Sequence, residues 1–220
     1  MMNKILRRLL VSLLLLITFQ PLLALASDQD DFLKAAEFDY VSDLSKFIAR
    51  GVDPNCHEPM RGETALILAV RENSLRAIDF LVQAPGINLD ATANNGNTAL
   101  MMAAYLGNQH AVETLIAHGA QVNKTGWTPL HYAATAGNDV IVTILLQHDA
   151  DIDAAAPNGL TSLMMAVRAN KTRTVKLLLD NGADPLLSNA LSVSALDMAK
   201  KLEFRGMVEL LETGVKKSNR

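Results

Sequence analysis

The sequence predicts an all-α chain built as a solenoid of about six helix-turn-helix units. Three observations lead there. A short capped apolar segment recurs as ETALILAV at Thr64, NTALMMAA at Thr98, WTPLHYAA at Thr128, LTSLMMAV at Thr161 and VSALDMAK at Ser194, with spacings of 34, 30, 33 and 33 residues. A second apolar run follows each copy in the same register, as in VETLIAHGAQVN, VTILLQHDADID and VKLLLDNGADP. The composition, 50% hydrophobic and 20% charged over 220 residues, supplies enough apolar surface for a packed core.

The first 26 residues read as a separate element. Lys4, Arg7 and Arg8 make a basic start, Leu9 to Phe19 is apolar apart from Ser12 and Thr18, and Pro21 precedes Ala24-Leu25-Ala26. That pattern is a secretory signal peptide, with cleavage expected between Ala26 and Ser27. The alternative is a retained anchor, since the uncharged stretch approaches the ~20 residues that cross a bilayer. Removal leaves 17 basic against 23 acidic residues, a net charge of about −6, which argues against a broad nucleic-acid surface. No other run is long enough to span a membrane. Cys56 is the single cysteine, so no internal disulfide forms and packing must supply stability.

The repeat domain then runs over 27–220. Counting back 33 residues from Thr64 reaches Asp31 and DFLKAAEFD, a degenerate first copy, so units start near 31, 64, 98, 128, 161 and 194. In the copy at Thr128, the threonine suits an N-cap and Pro129 suits the first helical position, where no backbone N–H is needed. Leu130, Ala133 and Ala134 offer contacts to neighbouring helices, and Gly137-Asn138 turns the chain. Ile141, Ile144, Leu145 and Leu146 then make the apolar side of the second helix. One such hairpin cannot bury its apolar face alone, whereas a stack shares a continuous core.

With these residues in view, the chain resembles the ankyrin-repeat family, whose units carry a T-P-L-H-x-A pattern at a period of 33. Only the copy at Thr128 shows the full pattern. The resemblance implies short β-hairpin-like loops between the helix pairs and a long concave surface that holds protein partners.

Several departures stand out. Only three residues separate Val122 from Gly126, where the flanking links have six, so the projecting loop there should be three residues shorter and leave a notch in the row of loop tips. Asp149 takes the slot held by Gly119 and Gly182, which calls for a left-handed backbone.

Three motifs invite a chemical reading. Asp149-x-Asp151-x-Asp153 suggests a calcium loop, but Ala154 stands where its glycine belongs and Leu160 where its bidentate Glu belongs, so turn residues are expected. Cys56 beside His57 does not make a nucleophile and base, because neighbours in an extended segment point apart. His118 and His148 recur at helix ends without further ligands, so no metal is expected, and His131 is expected to bond across repeats. No cofactor loop, hydrolase motif or catalytic residue is evident, and no enzymatic activity is expected.

The register makes Glu63, Arg71, Glu72, Asn97, Tyr105, Leu106, Trp127, Thr135, Arg168 and Lys201 face the groove, and likewise Ala136, Leu160 and Val193. Tyr105, Leu106 and Trp127 are expected to form one apolar patch ringed by Arg71, Arg168 and Lys201, with Trp127 alternatively packing along its own loop. The expected function is a monomeric, periplasmic or secreted module that binds a protein partner. An inhibitor or immunity-type protein that blocks a toxin or hydrolase is the alternative, and an enzyme built on the loops is a third.

Overall fold

The computed structural model describes residues 28–218, so the segment 1–26 and its expected cleavage site lie outside the described residues. The chain forms two units, the first ending at Ile87 and the second starting at Asn88. The first contains α1 (28–37), α2 (Val41–Ala49), α3 (Ala65–Arg71) and α4 (Leu75–Leu81). The second contains α5 (Ala99–Leu106), α6 (Gln109–Ala117), α7 (Pro129–Ala136), α8 (Asp139–Gln147), α9 (Ser162–Arg168), α10 (Thr172–Asp180), α11 (Ala195–Lys201) and α12 (Arg205–Ser218). Among the described residues, strand-like pairing is limited to the isolated bridges His57–Thr64 and Ser188–Ser194.

The recurrent threonines start the helices. The hydroxyls of Thr64, Thr98 and Thr161 accept from the amides of Ile67, Met101 and Met164 at 3.3, 3.3 and 3.4 Å, and Ser194 accepts from Asp197 at 3.1 Å. Each satisfies one amide that the first turn leaves without an intrahelical partner. Asn108 and Asn138 do the same for α6 and α8. Asp149 adopts φ +60° between the first-choice glycines of its neighbours, Gly119 at +94° and Gly182 at +93°.

Within the second unit α5, α7, α9 and α11 pack successively side by side, with α6, α8, α10 and α12 in a second row behind them. The front row is close-packed because its contacts are small: Ala103, Ala104, Ala133, Ala134, Ala166 and Ala199 are fully buried. The back row contributes bulk through Val112, Leu115, Ile141, Leu145, Val175 and Leu178. Each such large side chain stabilises by about 1.5–3 kcal/mol. In the first unit α4 packs on α3 and α2, and Ser74 donates to the carbonyl of Glu37 at 2.7 Å.

Loops are tied to one another by side chains that substitute for strand pairing. Asp90 accepts the Gln121 amide at 2.9 Å, Asn123 the Asp151 amide at 2.8 Å, and Asp153 the Asp184 amide at 3.0 Å. Asp151 itself accepts the Asp153 amide at 3.1 Å, so these aspartates act as turn residues. Flanking loop tips are closed by backbone bonds, Ala93 to Asn97 and Ala156 to Leu160, each 2.9 Å. The short link 122–126 has no such pair; Asn123 instead reaches the Asp149 carbonyl at 2.7 Å.

Candidate functional site

The residue before each cap and those four and seven positions after it come to one face of the front row. In α7 these are Trp127, Tyr132 and Thr135, and beside them stand Tyr105 of α5 and Met165 of α9. With one edge of His131 they line a cleft of about 140 Å³. Tyr132 is the centre of the arrangement. Its ring lies edge-on to Tyr105 at 6.3 Å and to Trp127 at 6.2 Å between centroids. Trp127 is in turn edge-on to His131 at 5.5 Å. Edge-to-face contacts of this kind hold aromatic walls in place.

Two hydroxyls of the cleft are already engaged. The Tyr132 hydroxyl donates to Asn97 Oδ1 at 2.6 Å, and the Thr135 hydroxyl donates to the His131 carbonyl at 2.7 Å. Burial raises the phenol pKa of Tyr132, opposed by the hydrogen bond to Asn97, so the ring stays neutral. What remains for a ligand is almost wholly carbon. At the edge, Arg168 Nη2 lies 3.1 Å from Met165 Sδ.

Beneath the cleft, His131 joins two repeats. The Thr128 amide donates to Nδ1 at 3.1 Å, and Nε2 lies 3.0 Å from the Leu160 carbonyl, 29 residues on. An Nδ1 that accepts leaves Nε2 to donate, which requires the neutral ring. Burial lowers the pKa of His131 and the Leu160 carbonyl opposes this.

Of the residues expected to face the groove, Tyr105, Trp127 and Thr135 meet in the cleft, and Asn97 braces Tyr132 from behind. Leu106 is 48% exposed but does not line it. Two expectations are corrected. Glu63 is only 5% exposed, because its carboxylate is drawn onto the Arg71 guanidinium. Leu160 is also 5% exposed, its carbonyl held by His131. Arg71 is occupied in the first unit by Glu63 and by Glu72 at 2.8 Å. Glu72, Arg168 and Lys201 are exposed. Trp127 is half-buried: it both packs on its own helix and walls the cleft.

Sequence reasoning missed Tyr132 and Met165. Both sit three residues before an expected groove residue, Thr135 or Arg168, and that spacing puts them on the same helix face. The same position holds Met102 in α5 and Met198 in α11, so a methionine-rich stripe crosses the front row.

The model of the family described as "Ankyrin repeats (3 copies)" matches residues 32–125 and 122–189. The chain belongs to the ankyrin-repeat family. A crystal structure of an ankyrin repeat domain from Acinetobacter baumannii superposes with a TM-score of 0.71 at 26% identity, covering 84% of this chain and 97% of that one. Human SH3 and multiple ankyrin repeat domains protein 2 is 36% identical over 180 residues, 76% of this chain and 10% of its own length. The bovine mitochondrial disaggregase is 31% identical over 168 residues, 74% of this chain and 25% of its own length. This chain thus spans a quarter or less of either curated relative. Ankyrin repeats mediate protein–protein interaction, and the fold is typically a non-enzymatic scaffold.

The other motifs take structural roles in this ankyrin fold. His118 Nδ1 lies 2.8 Å from the Thr114 carbonyl at the end of α6, and His148 closes α8. Burial, with a contribution from Asp53, pushes the Cys56 thiol up to about 12. Among the described residues no three His, Cys, Asp or Glu side chains are grouped to hold a metal ion, and no helix is long and apolar enough to cross a membrane.

Proposed function

We propose that this ankyrin-repeat chain is a non-enzymatic binding module that grips a protein partner by the front-row face of its second unit, with the Tyr105–Trp127–Tyr132 cleft as the anchor. The observation that carries this reading is the cleft itself: three aromatic walls around a central Tyr132 whose hydroxyl is used internally by Asn97, with Tyr105 half-exposed at the mouth. Aromatic groups in such settings dominate binding energy at protein interfaces. A site of about 140 Å³ is also well below the ~300–1,000 Å³ that a small-molecule ligand occupies. It suits one inserted side chain. The basic and apolar segment 1–26 supports action in the cell envelope after export.

The test is photo-crosslinking from p-benzoylphenylalanine placed at Tyr105 in the full chain, with exposed Val140 on α8 as the control position. A partner trapped from position 105 and not from 140 is expected. Tyr105→Ala and Trp127→Ala should each weaken that complex about 30-fold, the loss typical of an interface anchor, without loss of helical signal. Unchanged affinity would sink the proposal. Export is checked by the amino-terminal sequence of protein from the envelope fraction, expected to start at Ser27.

A further inference from the structure

The charges around the cleft say what kind of segment fits it. In a chain with 23 acidic residues, none stands before a cap or four, seven or eight positions after one anywhere in the second unit. Two of those positions are cationic, Arg168 on α9 and Lys201 in the equivalent place on the adjoining α11. Neither has a carboxylate partner among the described residues. By contrast, Arg71 in the first unit, at the same register position, is held by Glu63 and Glu72. The front face of the second unit therefore presents an apolar cleft bordered on one side by two uncompensated positive charges, in a protein whose net charge is negative.

Size settles the anchor. A cavity of roughly 150 Å³ lined by apolar groups admits a benzene molecule, so a cleft of about 140 Å³ takes one branched aliphatic or phenyl side chain. Spacing settles the rest. Arg168 touches Met165 in the cleft wall, and neighbouring helices lie ~8–10 Å apart. An extended chain advances about 3.3 Å per residue. A carboxylate within roughly three residues of the anchor thus reaches Arg168, and a second about three residues farther reaches Lys201.

We propose that the face receives an extended acidic peptide segment of the partner, in which one leucine, isoleucine or phenylalanine side chain enters the Tyr105–Trp127–Tyr132 cleft and carboxylates on its α9 side pair with Arg168 and Lys201. This rests on the protein-binding reading above and adds the chemistry of the partner.

The experiment is selection of a random 12-residue phage-displayed library on the full chain, followed by fluorescence anisotropy with the enriched peptides. Enrichment of an apolar residue with Asp or Glu two to six positions away is expected. Combined Arg168→Glu and Lys201→Glu substitution should weaken those peptides tenfold or more, by about 1.4 kcal/mol, and the same peptides with lysine in place of the acids should then bind the variant better than the original chain. Enrichment of basic or uncharged peptides, or affinity unchanged in the double variant, would overturn the proposal. Peptides that depend on Tyr105 but ignore both cations would overturn it and leave the protein-binding reading standing. Failure to recover any peptide weakened by Tyr105→Ala would overturn both.

Discussion

His131 Nε2 donates to the carbonyl oxygen of Leu160 at 3.0 Å, while Nδ1 of the same ring accepts the Thr128 amide at 3.1 Å. One imidazole thus caps its own helix and ties that helix to the next repeat, and both bonds need the ring uncharged. Burial lowers its folded pKa below the ordinary 6.5. As pH falls through 6.5 the unfolded chain gains a proton that the folded chain refuses, so stability is present above that value and drains away below it. Denaturant unfolding between pH 7.5 and 5.5 should show a falling free energy, and His131→Gln should flatten the slope while lowering stability at pH 7.5. An unchanged slope in the variant would contradict this role.

Ser162 opens α9 and is fully buried, and its hydroxyl has no hydrogen-bond partner among the described residues. The same helical position holds Ala65, Ala99 and Ala195 in other repeats and Pro129 in α7. Ser162→Ala removes an unsatisfied buried group and should stabilise the chain by about 1 kcal/mol. Ser162→Pro should also be tolerated, since Thr161 already has the extended backbone, φ −91° and ψ 167°, that precedes proline. Thermal unfolding checks both, and a lowered midpoint for Ser162→Ala would refute the assignment.

Gly96 and Gly159 occupy equivalent loop tips at φ +82° and +76°. A Cβ at Gly96 meets open space, whereas one at Gly159 would lie 2.6 Å from the backbone nitrogen of Ala190 in the next loop. Gly96→Ala should therefore cost only the left-handed strain, about 1 kcal/mol. Gly159→Ala adds a backbone clash that overpacking studies put at roughly 1–3 kcal/mol. Equal losses in urea unfolding would show that the loops move apart freely.

The Cys56 thiol, raised from 9.0 to about 12, holds on the order of a thousandfold less thiolate at pH 8 than an ordinary thiol. Iodoacetamide should modify it at least about 100-fold more slowly in the native chain than in urea. Comparable rates in the two conditions would mean that the loop opens readily.

Much of the architecture was legible because it is local and repeated. A capping hydroxyl acts on an amide three residues away, and the left-handed turn at Asp149 follows from one backbone position. The groove register was legible only in part. Tyr105, Trp127 and Thr135 share the cleft as their spacing suggested, but Tyr132 and Met165 were hidden among core residues of the same apolar character. Glu63 and Leu160 share the register of Asn97 and Trp127, yet both are buried, one by an ion pair with Arg71 and the other beside His131.

The sequence by itself determined which segments become helices, where each begins and turns, and that neighbouring hairpins share a core, because these depend on contacts within about one repeat. Tertiary structure alone decided which side chains at equivalent positions reach solvent, which hydroxyls are consumed internally, and where uncompensated charge remains. Those outcomes depend on what the adjoining repeat places opposite each residue, and a periodic pattern specifies the position while leaving its neighbour across the interface free to differ.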